Sequence, residues 1–289
     1  MPRGVRIGLK DVYYALLDSD EVDVGAEYLT PVRLVGAITA NINPNSSMET
    51  LFADDGPMEV ATALGDIELE LTLADLPLPA QAVLLGHTYA GGHLVKKSDD
   101  IAPWVALGFR ALKSNGNYRY VWLLKGRFMI PEESHETKAD SIDFQTPTIN
   151  GSFTLREYDG QYMISGDEDE TDFFPIMAEE WFEEDTLLAN PATVTVDVST
   201  ATPTVNVAFD IEFTGAKDET GAFIVGATDM RVFSTSGQDL SAIVSVILDA
   251  AGDGDKAITL TTEGVQLLAV QLDGVPWWQV IEVDVQPAP

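Results

Sequence analysis

Cysteine is missing from all 289 residues, which rules out disulfides, a thiolate nucleophile and zinc–thiolate sites and fits folding in a reducing cytoplasm. Histidine is scarce: His87, His93 and His135 are the only three. His87 and His93 stand six apart, fit no HExxH pattern and have no obvious third ligand, so surface positions are their default reading. No GxSxG elbow occurs either. Basic residues are also few, with 16 Lys plus Arg against 47 Asp plus Glu, a net charge of −31 and a pI near 4.1. Affinity for nucleic acid comes largely from Lys and Arg displacing counterions from phosphates, so this balance argues against tight DNA or RNA binding. The acidity equally serves solubility or a salty habitat, and charge alone does not separate these. Long apolar runs are missing too. The opening stretch MPRGVRIGLKDVYYALLD is broken by Arg6, Lys10 and Asp11, which predicts neither a secretory precursor nor an integral membrane protein.

What is present is a foldable β sequence. A hydrophobic content of 45% excludes the regime of intrinsic disorder. In GDIELELTLA, Ile67, Leu69, Leu71 and Leu73 alternate with Asp66, Glu68, Glu70 and Thr72, the period of a strand with one face buried and one wet. In VRLVGAITANI, Val32, Leu34, Ile38, Ala40 and Ile42 share one parity and predict a second strand. YRYVWLLKGRF, residues 118–128, is nearly continuously apolar and predicts a strand covered on both sides or packed under a neighbouring subunit. Before it, Asn115-Gly116-Asn117 signals a hairpin turn, because Asn and Gly tolerate positive φ. One short helix is expected in DLPLPAQAVLLGHTY, with Asp75 as cap, Pro77 or Pro79 in the first turn and Gly86 at its end. MAEEWFEED, residues 177–185, is a second helical candidate. Near residue 190 Asn190-Pro191 interrupts the chain and Val194, Val196 and Val198 restart the alternation. The chain thus reads as two domains, 1–189 and 190–289, the second a small immunoglobulin-like β-sandwich of seven or eight short strands.

Four stretches resemble sites, and each has a plainer reading. Asp54-Asp55-Gly56, within LFADDGPMEV, pairs two carboxylates but lacks converging ligands, and Asp and Gly are turn formers between strands. The acidic run Asp167 to Asp172 puts Asp172 and Ala178 where a calcium loop needs Gly and Glu. Gly86 to His93 has phosphate-loop glycine spacing, but Gly92 and His93 stand where Lys and Ser or Thr belong. Trp277 and Trp278 offer a sugar platform, yet opposite parities within WWQVIEVDV send at least one into the core.

The ordered stretches RIGLKDVYYALL, YLTPVRLVGAITANINPN, LFADDGPMEV, DLPLPAQAVLLGHTY, APWVALGFRALKSNGNYRYVWLLKGRF and TKADSIDFQTPTINGSF, spanning about residues 5–185, carry a resemblance. They are similar to the phi13-type family of phage major tail proteins. The resemblance implies a mainly β fold, a two-sheet sandwich or barrel with a flanking short helix. It also implies hexameric rings that stack into the tail tube, the conduit for DNA ejection. Implied partners are further copies of the chain and the tape measure, tail terminator and tail tip proteins; the implied location is the virion tail, assembled in the host cytoplasm. The family lends no catalytic, cofactor or metal residues. DNA would pass the lumen without specific binding, with the Glu68, Glu70 and Thr72 stripe facing either lumen or exterior. Residues 190–289 lie outside the core resemblance and look like the immunoglobulin-like decorations of some tail tubes, which touch surface glycans weakly. Two other readings stand beside it: a tube protein of a contractile or secretion-type injection system, and an acidic surface-adhesion β module.

Overall fold

A computed structural model describes residues 4–22, 25–53, 56–133, 137, 145–188, 195–199, 202–218, 223–235, 240, 244–273, 275 and 278–288. The chain is mainly β and divides into two compact units, 1–18 with 28–169, and 19–27 with 170–289. Asn190 and Pro191 lie outside the described residues.

The first unit is built on strands β1 (Arg6–Glu21, as far as Asp18), β3 (Val32–Leu34), β4 (Ala37–Ala53), β5 (Gly56–Leu73), β8 (Val105–Lys113), β9 (Tyr118–Phe128), β10 (Thr148–Thr154) and β11 (Met163–Asp167), with helix α1 (Leu78–Leu85) and the small hairpin β6 (Thr88–Ala90) and β7 (His93–Val95), while β2 (Gly25–Tyr28) falls in the second unit as far as Glu27. One antiparallel sheet runs in the order β2-β1-β8-β9-β10-β5-β4, with β3 beside β1 and β11 beside β9. The alternation in β5 is realised as expected: Ile67, Leu69, Leu71 and Leu73 are buried, Glu68 and Glu70 are exposed, and Thr72 is half-buried. Each such burial removes apolar area worth about 1.5–3 kcal/mol. These residues meet Leu84 and Leu85 of α1, Leu107, Leu123 and Phe153 in one core. β9 is buried almost throughout, and Gly116, at φ +93°, turns the β8–β9 hairpin.

Two sequence expectations need correction. VRLVGAITANI is not one strand: Gly36, at φ +93°, separates β3 from β4, and a register shift between Ala37 and Thr39 turns Ile38 outwards, whereas Leu34, Ala40 and Ile42 keep the core side; Val32 on β3 is exposed. Asp75 does not cap α1. Pro77 is the N-cap with no side-chain cap bond, and Gly86 closes the helix at φ +73° as expected. A Cβ at Gly86 would lie 2.1 Å from the Ile101 carbonyl oxygen, so no other residue fits there.

In the second unit, helices α2 (Pro175–Glu179) and α3 (Glu184–Leu187) replace the single helix read at 177–185. β12 (Thr195–Val198), β13 (Ala208–Thr214) and β16 (Gly254–Thr259) form a three-stranded sheet. β14 (Gly226–Ser234), β15 (Val244–Leu248), β17 (Gly264–Leu272) and β18 (Gln279–Val285) form a four-stranded one. Phe209, Ile211 and Phe213 of the first sheet share a core with Met230, Val232, Leu268, Val270 and Val283 of the second. These seven strands make a β-sandwich.

Candidate assembly surface

The β4–β5 hairpin is far longer than the sheet that holds it. Pairing runs from Ala37 opposite Leu73 to Ala53 opposite Gly56. β10 supports β5 only from Ile67 to Thr72. From Asn43 and Asp66 outwards, every residue whose burial is described is exposed. This arm therefore touches water on both faces.

Register explains the character of each face. Residues directly opposite in an antiparallel pair share a side of the sheet. At the base, Ala40, Ile42 and Pro44 lie opposite Leu71, Leu69 and Ile67 on the core side. Between Pro44 and Ser46 β5 spends one residue more than β4, a β-bulge at Gly65. A Cβ on Gly65 would lie 2.9 Å from the Asn45 carbonyl oxygen, so the bulge suits glycine. Beyond it the core-side face continues as Ser46, Met48 and Thr50 opposite Leu64, Thr62 and Val60. None of these six ionises, and Met48, Val60 and Leu64 are 70%, 53% and 41% exposed. The other face continues the wet stripe: Asn41 and Asn43 reach Glu70 and Glu68 at 3.4 and 3.5 Å, and Glu49 and Glu59 follow. The core-side face of the arm thus exposes Met48, Val60 and Leu64 without any ionisable group, and among the described residues nothing covers it.

The sheet has two open margins. β4 ends the strand order, and among the described residues no strand pairs with its outer side. At the other end, β3 pairs with Val12 to Tyr14 of β1, and among the described residues β8 alone runs beside Arg6 to Lys10. The margins differ in charge. Arg6 and Lys10 are the only ionisable residues before Asp11 in β1, whereas the β4–β5 hairpin carries only acids: Glu49, Asp54, Asp55, Glu59, Asp66, Glu68 and Glu70. Long edges without charge or proline invite pairing with another chain. Between Leu34 and Met48 the β4 margin has no charge and one proline, Pro44.

The sequence candidates fare differently. Asp54 and Asp55 lie outside the described residues; their flanks, Ala53 and Gly56, pair directly. The acidic run wraps around a lysine. Lys113, 3% exposed, donates to Asp167 at 2.5 Å and to Asp169. Asn115 and Asn117 donate to Asp169 at 2.6 and 2.7 Å, and Arg119 donates to Asp167 at 2.8 Å. Burial alone would lower the lysine pKa, but the hydrogen bonds it donates to Asp167 and Asp169 outweigh that and raise it. The Lys113 and Asn117 hydrogen bonds hold Asp169 well below the usual carboxylate range. A lysine ammonium already sits where a calcium ion would, and the cluster locks the β8–β9 turn to the end of β11. The signal available in sequence was Lys113 itself, a base in an apolar strand that must find its countercharge elsewhere.

His87 is buried, not a surface residue: its Nδ1 lies 2.7 Å from Asp100. The Asp100 carboxyl is held below its ordinary value by the Lys97 backbone N–H and by His87. His93 is exposed with Nδ1 2.9 Å from the Gly91 oxygen, and His135 lies outside the described residues. The phosphate-loop spacing of Gly86 to His93 is hairpin chemistry, since Gly91 and Gly92, at φ +58° and +82°, join β6 to β7. Trp277 is outside the described residues. The parity reading of Trp278 does not apply, because β18 begins only at Gln279. Trp278 is half-buried, with the Arg231 guanidinium 4.9 Å from its ring centre and Phe233 edge-on at 5.5 Å, so one ring face is taken by a cation. Among the described residues no group of three His, Asp or Glu is placed to hold a metal ion, and no helix is long and apolar enough to cross a membrane.

Comparison with protein-family models and with curated protein sequences returns no match. Among solved structures, FdeC, an Escherichia coli adhesin, is 11% identical, covers 99% of this chain and 100% of its own, and has a TM-score of 0.28. A polysaccharide lyase is 12% identical, covers 98% of this chain and 40% of its own, and has a TM-score of 0.24. Scores this low assign neither shape nor role.

Proposed function

We propose that the chain is a structural, non-catalytic protein that joins copies of itself edge to edge into rings, the tail tube subunit that its sequence resembles. The supporting observation is the pair of open sheet margins, the acid-free Arg6–Lys10 stretch of β1 and the β4 edge of a hairpin that carries acids and no base. Pairing one margin with the other on the next copy is a heterologous contact, which closes into a ring when the rotation allows and leaves no exposed edge. In such a ring the Glu68 and Glu70 stripe, opposite the α1-covered core, lines the lumen. DNA passes without sticking because acids offer its phosphates no partner.

Negative-stain microscopy of the purified full-length protein tests this, with six-fold rings or tubes expected. Ile38→Lys, which adds a third cation to face Arg6 and Lys10, abolishes rings, whereas Ile38→Glu keeps them. A protein that stays monomeric across salt and concentration overturns the reading and leaves the surface-adhesion module as its replacement.

A further inference from the structure

We propose that Lys113 and Asp169 condense into an intramolecular amide, a covalent cross-link between the last residue of β8 and the segment that follows β11. Lys113 Nζ lies 2.5 Å from Asp167 Oδ1 and also donates to Asp169 Oδ2. The side chains of Lys113, Asp167 and Asp169 are 3%, 9% and 8% exposed. An amine and two carboxyl groups are thus held in contact with water largely shut out, which favours condensation over the reverse hydrolysis. β8 and β11 do not pair with each other; each pairs with β9. The cross-link needs no second copy of the chain, so it stands apart from the assembly reading.

The surroundings of the two carboxylates assign their roles. Asp169 Oδ1 accepts from the side-chain amides of Asn115 and Asn117 at 2.6 and 2.7 Å, and Oδ2 accepts from Lys113 and from the Gly4 N–H at 3.1 Å. Two N–H donors on one oxygen are what a tetrahedral oxyanion requires, so Asp169 is the electrophile. Asp167 accepts from Arg119 on Oδ2 at 2.8 Å and from the Asp169 N–H on Oδ1 at 3.0 Å. These bonds keep it a carboxylate and aim Oδ1 at Nζ, the placement of a general base. The step balances without any further reagent. Lys113 Nζ passes one proton to Asp169 Oδ2, and its freed lone pair attacks Cγ while the C=O π electrons move onto Oδ1, against the two asparagine amides. Asp167 takes a second proton from Nζ and returns it to Oδ2. The Cγ–Oδ2 bond then breaks, Oδ2 leaves as water with the bonding pair, and Oδ1 re-forms the carbonyl of the amide.

Lys113 is held above and Asp169 below their ordinary pKa values, so the charged pair predominates and the condensation starts from its minor neutral form. The freshly folded chain therefore carries the ion pair, and the amide accumulates afterwards. Its position gives it a mechanical consequence. The bond closes the chain between residues 113 and 169 around β9, β10 and β11, and Asp169 is the residue at which the first compact unit passes to the second. A pull on the chain beyond residue 169 then reaches β8 through the amide and leaves β11 unloaded.

The full-length protein is incubated at neutral pH and sampled over days by intact-mass spectrometry and, after denaturation, by tryptic digestion. Free Lys113 is a cleavage site, whereas the amide blocks it and joins residues 111–119 to residues 157–217 in one branched peptide, lighter than its two parts by one water. That peptide, with fragments that place the branch at Asp169, is the expected result, and Lys113→Arg and Asp169→Ala do not yield it. Asp167→Asn keeps the contact between Lys113 and Asp169 and slows the condensation on the order of 100-fold; an unchanged rate in a variant with the wild-type circular dichroism spectrum overturns the role given to Asp167. Loss of one water without a branch marks a succinimide and overturns the proposal, as does a branch at Asp167. A wild-type chain that keeps its full mass and is cleaved normally at Lys113 after prolonged incubation sinks it, whether or not the variants fold.

Discussion

Lys113 shows how one buried cation organises a segment that in sequence looks like a metal loop. The residue is 54 positions from Asp167 and 56 from Asp169, a separation no local motif reveals, although the acids themselves were plain to see. Removing one member of a buried ion cluster leaves charge without compensation, so Lys113→Met is expected to destabilise the first unit. The pH dependence fixes the sign. Asp169 and Asp167 have folded pKa values below the ordinary carboxylate value of about 3.9, so their contribution is fully present above that value and is lost as pH falls through the folded ones. In Lys113→Met the same carboxylates repel each other when ionised and are relieved by protonation. The difference in unfolding midpoint between wild type and variant is therefore largest near pH 7 and shrinks as pH approaches 3. A difference that stays constant over this range would show that the cluster is not held by charge.

At the scale of elements, the hairpin β4–β5 contains two regimes that differ in what they do for folding. Leu71 is fully buried at its base, and Leu71→Ala should cost about 2–5 kcal/mol in chemical denaturation through lost transfer energy and the cavity left behind. Met48 contacts no core, and Met48→Ala should change stability by less than about 0.5 kcal/mol. If Met48→Ala proved as costly as Leu71→Ala, the arm would have to be packed within its own chain. The sequence announces this base clearly, because a strict period of two from Ile67 to Leu73 survives in the structure unaltered. It announces the arm poorly. Pro44 and Gly65 look like breaks, yet the first sits on an outer edge and the second in a bulge, so pairing continues past both. The positive φ of Gly36 and the register shift between Ala37 and Thr39 likewise interrupt a strand that looked continuous from Val32 to Ile42, although Leu34, Ala40 and Ile42 keep the core side. The turn at Gly91-Gly92 and the stack of Arg231 on Trp278 were hidden for a different reason: each depends on the exact end of a strand, and strand ends follow from tertiary pairing, not from periodicity.

For the molecule as a whole, the charge of −31 sets the terms on which copies can meet. Bringing such chains together is opposed by repulsion that acts over the full Debye length, about 30 Å at 0.01 M salt but about 8 Å at 0.15 M. In the assembly proposed above, the contacts that would favour joining are of shorter range: backbone pairing along the sheet margins, and the Arg6 and Lys10 margin against the acidic hairpin. Salt weakens the last of these, yet it weakens the long-range repulsion more, because a close pair lies well inside the screening distance whereas most of the acids on two neighbouring copies lie outside it. Raising sodium chloride from 10 to 300 mM should therefore promote assembly, lowering the protein concentration needed for half-maximal assembly in sedimentation about tenfold, which corresponds to about 1.4 kcal/mol per added subunit. Replacing Glu49 and Glu59 of the arm by Gln removes part of the repulsion without touching the apolar face, so it should shift the same curve to lower salt. Assembly that is strongest at 10 mM salt and dissolves on addition would mean that attraction between the margins outweighs the repulsion of the whole surface.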